Sequence, residues 1–354
     1  MERKRPDKDA QSGSGLLDRL ERGPVICAEG YLFELERRGY LQAGGFVPEV
    51  LLDNPEKVTE LHREFVHAGS DVVEAFTYYA HREKLRLIGK EELLEQINRQ
   101  ALELAREVAR ESGTLFAGDV CNTNVYTGEG SGDTVRAMFE EQVGWAVDAG
   151  VDFVIGETFS WGGEAIVATQ VIKDAGLPAV VTLAMHRHPQ TREGWSAEET
   201  CQRLKDAGAD VVGLNCSRGP KTMMPLLERL RKAVPGHLAA LPVPYRTHDD
   251  EASFQSLTDP DTDSLPDDRP FPTALDPFTC SRYEIADFAR AADELGVRYL
   301  GVCCGAAPHH IRSMAEALGR TPPASRYSAD MSKHAYFGTD ATLKEEYRAY
   351  AEEL

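Results

Sequence analysis

Short apolar runs alternate with amphipathic helical patterns along most of the chain. Apolar residues at helical spacing predict helices over residues 48–68 and 91–112, and an Ala-Gly pair repeatedly marks a helix end, as at Ala149-Gly150 and Ala207-Gly208. The apolar runs between helices predict eight strands, at residues 24–28, 71–76, 115–120, 151–157, 179–183, 210–216, 237–241 and 297–305. Strands that alternate with helices form a parallel sheet, so this α/β pattern predicts a closed (β/α)8 TIM barrel.

An open, doubly wound sheet is the alternative architecture, but no Gly-x-Gly-x-x-Gly motif follows the first predicted strand. Residues 246–278 interrupt the repeat and are rich in Asp, Pro, Ser and Thr, which predicts a surface excursion near the face that carries the strand ends. We therefore expect a disordered leader at residues 1–15, a barrel at residues 16–320 and a C-terminal extension at residues 321–354. The extension is either a solvated segment or a docking element for a second subunit.

Composition narrows the choice of partners and compartment. Hydrophobic residues make up 42% of the 354 residues, and the net charge of -19 argues against nucleic acid or an anionic membrane as a partner. No apolar run reaches the roughly 18 residues that a membrane helix needs. The charged start lacks the apolar core of a signal peptide, and seven cysteines are an odd number, so we expect a cytoplasmic protein with free thiols.

Three cysteines follow two of the predicted strands. Cys216 ends the sixth strand, and Cys303 and Cys304 end the eighth. The carboxyl ends of barrel strands gather at one face, so these residues can converge although they are far apart in the chain. Three thiolates suit zinc and leave its fourth position open for a substrate. The alternative is that the cysteines pack as small hydrophobic residues.

Two carboxylates occupy other strand ends and could hold a substrate ammonium group. Glu29 follows the first predicted strand and Glu157 ends the fourth. Either could instead cap a helix N-terminus. Asp119 and Asn122, near the end of the third strand, are expected to be structural.

Aromatic residues lie in the loops of the same face. Tyr79 follows the second strand and Phe46 lies in the first loop, and aromatic faces attract a quaternary ammonium or sulfonium group. The alternative is that these side chains belong to the core. His309 and His310 open the helix after the eighth strand and are expected to face solvent. A zinc-activated thiol beside an aromatic pocket predicts transfer of a methyl group from a cationic donor, with no catalytic side chain beyond the zinc site.

The motifs Gly213-Leu214-Asn215-Cys216 and Gly301-Val302-Cys303-Cys304-Gly305 resemble the two zinc motifs of the homocysteine S-methyltransferase family. Residues 33–40, 61–65, 68–70 and 296–299 are similar to its betaine–homocysteine branch. The resemblance implies a (β/α)8 barrel with Zn2+ on Cys216, Cys303 and Cys304, and methyl transfer from an onium donor to homocysteine, giving methionine. It also implies that Glu157 holds the amino group of homocysteine and that Tyr79 lies at the donor site.

The chain departs from the family pattern at several of the predicted substrate contacts. Glu29 stands one position after the usual strand-one Asp, and a one-residue shift usually turns a side chain to the other face. Phe46 replaces a tryptophan and Thr158 a tyrosine, which leaves betaine and a sulfonium open as donors. The chain ends before the long oligomerisation arm of the betaine enzymes, so their tetramer is not expected, and the formation of another homo-oligomer stays open. The alternative function is a zinc- or thiol-binding barrel that methylates another acceptor or is not catalytic.

Overall fold

A closed barrel of eight parallel strands forms the centre of the molecule. The computed structural model describes residues 15–261 and 265–354. The strands follow one another around the barrel in sequence order, and β1 pairs with β8 to close it. Their bounds are β1 Val25–Ala28, β2 Val72–Glu74, β3 Leu115–Cys121, β4 Phe153–Phe159, β5 Ala179–Leu183, β6 Val211–Asn215, β7 His237–Leu241 and β8 Tyr299–Val302. The predicted (β/α)8 barrel is confirmed, and the open sheet is excluded.

Helices surround the barrel and connect its strands. They are α1 Leu16–Arg22, α2 Tyr31–Arg37, α3 Val50–Asp53, α4 Pro55–Ala68, α5 Arg82–Leu87, α6 Leu94–Ser112, α7 Gly132–Ala149, α8 Gly162–Asp174, α9 Ala197–Asp206, α10 Pro220–Ala233, α11 Arg282–Glu294, α12 Pro308–Ala317 and α13 Glu345–Tyr350. The prediction of one helix over residues 48–68 is wrong, because the chain leaves the helical conformation at Asn54 (φ -145°, ψ 59°). Pro55 follows, and a proline disfavours the helical conformation of the residue before it.

Glycines allow the two cysteine-bearing strands to approach their neighbours closely. A Cβ atom at Gly213 would overlap the carbonyl oxygen of Ala239, and one at Gly301 would overlap that of Cys27. Each glycine lies two or three residues before a cysteine. A side chain at either position would therefore push the strands apart and move the strand ends that carry the cysteines.

The segment at residues 246–278 packs against the carboxyl end of the barrel. Phe254 is buried, stacks on Tyr245 with ring centroids 5.8 Å apart, and contacts Phe271 edge to face at 5.0 Å. Both phenylalanines also lie against Phe33 of α2. The Phe254 N–H donates to the carbonyl oxygen of Ser217 at 2.8 Å. The segment is thus anchored beside the turn that carries Cys216.

The prediction for the two histidines of α12 is half wrong. His309 is exposed, but His310 is buried, because its Nδ1 accepts the N–H of Ala307 at 3.0 Å and so caps the first turn of the helix. Of the predicted leader, all but Gly15 lies outside the described residues. Among the helices within those residues, none has the length and apolar character needed to cross a membrane.

Candidate metal and substrate site

The three predicted cysteine ligands meet at the carboxyl end of the barrel. Cys216 directly follows β6, and Cys303 and Cys304 directly follow β8. Their sulfur atoms all lie within 4.8 Å of one another, and the Sγ atoms of Cys303 and Cys304 are 3.9 Å apart. A tetrahedral zinc ion with Zn–S bonds of about 2.3 Å needs sulfur atoms about 3.8 Å apart. The geometry of the three sulfurs therefore fits such an ion.

The three thiols differ in how readily they lose a proton. Hydrogen bonds from the thiols of Cys303 and Cys304 hold the pKa of Cys216 well below its usual range. Burial, followed by donation to Cys216, raises the pKa of Cys303, and donation to Cys216 raises that of Cys304. Without a cation the group thus favours a single thiolate, whereas a bound divalent cation would favour three.

Two carboxylates lie directly beside the sulfurs. Asn215, the last residue of β6, donates its Nδ2 to Glu157 Oε2 at 2.6 Å and to Glu29 Oε2 at 3.3 Å. The same Glu157 oxygen is 4.0 Å from Cys303 Sγ. Glu29 enters this pocket because it lies beyond the last residue of β1, where the alternation of side chains along a strand no longer applies. Asn215 was not among the predicted site residues, although its position immediately before Cys216 could have indicated it.

Two further acids extend the pocket into the barrel. Glu74 of β2 and Asp119 of β3 each place a carboxylate oxygen within 4.8 Å of Glu157. Asp119 was expected to be structural, and Glu74 was not predicted at all. Each interrupts an otherwise apolar strand, in Val72-Val73-Glu74 and Phe116-Ala117-Gly118-Asp119, and that interruption is the signal that could have identified both.

Burial governs the charge of these four acids. It raises the pKa of Glu157 to about 8, and burial together with the neighbouring acids raises the pKa values of Glu29, Glu74 and Asp119 well above their usual range. One oxygen of each of these three side chains has no hydrogen-bond partner among the described residues. A ligand with a cationic N–H group would relieve both the repulsion and the missing hydrogen bonds.

Of the other predicted substrate contacts, Thr158 lies in this pocket, whereas Tyr79 and Phe46 lie around it. Thr158 joins the carboxylate group, since its hydroxyl donates to Glu157 Oε2 at 3.1 Å. The N–H of Tyr79 donates to Cys121 Sγ at 3.3 Å, and Lys84 places its ammonium nitrogen 3.9 Å from the centroid of the Tyr79 ring. Phe46 instead stacks on Phe33, with centroids 5.9 Å apart, in the aromatic cluster under residues 246–278.

The sequence is similar to a known enzyme family over most of its length. The family model for homocysteine S-methyltransferase matches residues 26–318. Betaine–homocysteine S-methyltransferase 1 of Xenopus tropicalis is 38% identical over 340 residues, which cover 92% of this chain and 80% of that protein. An S-methylmethionine–homocysteine S-methyltransferase of Pongo abelii is 35% identical over 335 residues, which cover 92% and 86%.

Solved structures share the fold at lower sequence identity. The metallated form of the homocysteine methyltransferase MmuM from Escherichia coli matches with a TM-score of 0.64 and 19% identity, over 83% of this chain and 96% of that one. Its oxidized form matches with a TM-score of 0.66 and 18% identity, over 85% and 98%. These likenesses support the barrel architecture.

Proposed function

The chain belongs to the homocysteine S-methyltransferase family, as its cysteine motifs predicted, and is a methyltransferase; from this premise we propose that it methylates the sulfur of homocysteine to give methionine. The observation that carries the proposal is the meeting of three cysteine sulfurs with two carboxylates, Glu29 and Glu157, at one end of the barrel. This arrangement offers separate sites for the two functional groups that distinguish homocysteine, a thiol and an α-amino group.

The metal in this proposal is zinc, held by Cys216, Cys303 and Cys304. The spacing of their sulfurs and the softness of thiolate ligands support that choice over a hard cation such as Mg2+. Bound there, zinc would lower the pKa of a coordinated substrate thiol and so supply a thiolate nucleophile at neutral pH.

The carboxylates bind the ammonium group of the amino acid in this proposal. Burial and then repulsion from Glu157 raise the pKa of Glu29, and an ammonium group between the two acids would offset both effects. Asn215 orients both acids, because its amide donates to each of them and its Oδ1 accepts the N–H of Thr158 at 3.0 Å. In this proposal the two acids hold the amino end of the substrate, and the substrate sulfur faces the metal.

The methyl donor in this proposal is an onium compound. A new bond forms between the homocysteine sulfur and the methyl carbon, and the bond between that carbon and the donor heteroatom breaks. The electron pair of the broken bond stays on the heteroatom, so the donor loses its positive charge as the thiolate loses its negative charge. Two relatives of this chain are named for betaine and for S-methylmethionine, and both compounds satisfy this chemistry.

Activity and zinc content together test the proposal. We expect the purified, reduced wild-type protein to hold one zinc per chain and to form methionine from homocysteine with betaine or S-methylmethionine. Cys216→Ala should lose both properties, while Cys201→Ala, which removes a buried thiol of α9 away from the site, should keep both. Zinc binding without methionine formation from either donor would favour a different acceptor or a non-catalytic barrel.

A further inference from the structure

The turn that carries Cys216 has a strained backbone. Cys216 and Ser217 have φ angles of 54° and 59°, so two consecutive residues with side chains occupy the left-handed region. That conformation is unfavourable for residues other than glycine and persists only where the surrounding structure fixes it. The position of the Cys216 sulfur therefore depends on contacts that hold the turn from outside.

A buried arginine fixes the backbone on one side of the turn. The side chain of Arg218 donates from Nε to the carbonyl oxygen of Met185 at 2.8 Å and from Nη2 to that of His186 at 2.6 Å. These bonds join the loop after β5 to the turn after β6. They hold His186 next to the turn without using its side chain.

The imidazole of His186 fixes the other side of the turn. Its Nδ1 is 3.1 Å from Ser217 Oγ, and its Nε2 is 3.0 Å from the hydroxyl of Ser160, which follows β4. Ser217 in turn donates to Gln255 Oε1 at 3.2 Å. A neutral imidazole with its proton on Nδ1 accounts for all of these hydrogen bonds, because Ser160 donates to Nε2 and Nδ1 donates to Ser217.

We propose that His186 is a positioning residue for the metal ligand Cys216. The inference rests on the proposed metal site and adds a residue that holds its geometry through Ser217. The His186 ring bridges the end of β4 and the turn after β6, and Gln255 links the same turn to the segment at residues 246–278. Outer partners of this kind typically change metal affinity by about 10- to 100-fold.

Zinc affinity of the full-length protein measures this role. We expect His186→Phe, which keeps a ring but removes both hydrogen bonds, to raise the zinc dissociation constant about 10- to 100-fold in competition with a chromophoric chelator. The thermal midpoint of the metal-free protein should stay within a few degrees of wild type. His188→Phe makes the same change at the other histidine of this loop, which is exposed like His186 but has no hydrogen bond to the turn among the described residues, and it should bind zinc like wild type.

The outcomes separate this inference from the proposed function. Equal zinc affinity in His186→Phe and wild type would overturn it, as would a loss confined to the KM for homocysteine, which would make His186 a substrate contact. A wild-type protein that binds no zinc would instead refute the metal site itself. If His186→Phe does not fold, Ser160→Ala keeps the ring and removes one of its anchors, and it should raise the dissociation constant by a smaller factor.

Discussion

Backbone strain recurs in residues near the three cysteines. Among the described residues, Tyr79, Thr158, Cys216 and Ser217 have positive φ angles of 60°, 62°, 54° and 59°, and Phe46, Asn124, Asp267 and Asp268 share this conformation elsewhere. For a β-branched residue such as Thr158 this conformation is a genuine outlier. Strain of this kind accumulates at ligand sites, where the position of a side chain matters more than the stability of its own backbone. Tyr79, Thr158 and Cys216 thus bring strained backbone from the ends of three different strands to this part of the barrel.

The neighbouring Lys84 affects how well the Tyr79 ring can attract a cation. The Lys84 ammonium lies over this ring and already engages the negative face that a cationic donor would use. We expect Lys84→Met to lower the KM for an onium donor about 2- to 5-fold, the equivalent of about 0.5 to 1 kcal/mol for one cation–π contact. Steady-state kinetics with betaine and S-methylmethionine measure the change, and Lys84→Arg serves as the charge-preserving control. A higher KM would show that Lys84 instead attracts the carboxylate of the donor.

The sequence predicted part of this residue-level arrangement. The cysteine cluster could be predicted from the sequence because the cysteines end two apolar runs, and barrel topology brings such ends together. The extent of the acidic pocket could not be predicted, because Glu74 and Asp119 are inside the strands and their burial depends on packing across the barrel. Phe46 could not be assigned either, since its partner Phe33 comes from a separate helix.

At the scale of elements, α4 contains a histidine that the fold holds in its neutral form. His62 is buried with its ring centroid 4.8 Å from that of Tyr31, and neither ring nitrogen has a hydrogen-bond partner among the described residues. Burial lowers the pKa of His62 from 6.5 to about 3. Below pH 6.5 the unfolded chain binds a proton at this site that the folded chain does not, so stability falls as the pH falls toward 3.

The effect of His62 on stability is measurable between pH 7 and pH 5. The pKa difference corresponds to a loss of about 2 kcal/mol in the free energy of unfolding over that range. We expect His62→Leu to remove this loss in urea unfolding experiments. His67→Leu changes an exposed histidine of the same helix and should keep the wild-type pH dependence. An unchanged slope in His62→Leu would mean that the buried ring accepts a proton in the folded state.

The elements themselves were largely predictable, for a physical reason. Each helix that ends in an Ala-Gly pair stops where glycine takes up a left-handed conformation, as at Gly150 with φ 77°, and that signal is local in sequence. Residues 246–278 lack such a signal. The phenylalanines that hold the segment contact Phe33 and Tyr245, and only the folded barrel brings these partners together.

At the scale of the whole molecule, exposed apolar surface is concentrated in the C-terminal extension. Of the 11 large hydrophobic side chains that are exposed among the described residues, six lie at or after Tyr327. They are Tyr327, Met331, Phe337, Tyr347, Tyr350 and Leu354. A contiguous exposed apolar patch is typical of an interaction site, and three of these rings, those of Phe337, Tyr347 and Tyr350, contact the ring of Tyr336. The concentration favours the docking role of the extension over the solvated one.

Removal of residues 328–354 tests that role. The truncation keeps the turn at Pro323–Tyr327, which packs against α4, so we expect the barrel to remain folded. Light scattering coupled to size-exclusion chromatography should show an oligomer for the full-length chain and a monomer for the truncated one. The same mass per particle for both would assign the extension to the solvated alternative.

The sulfur coordination of the bound metal tests the central claim most directly. Zinc K-edge X-ray absorption of the reduced, zinc-loaded protein should show three sulfur ligands at about 2.3 Å. Addition of homocysteine should raise the count to four, because the substrate thiolate takes the position that the three cysteines leave open. Fewer than three sulfur ligands, or a count that homocysteine does not change, would contradict the account.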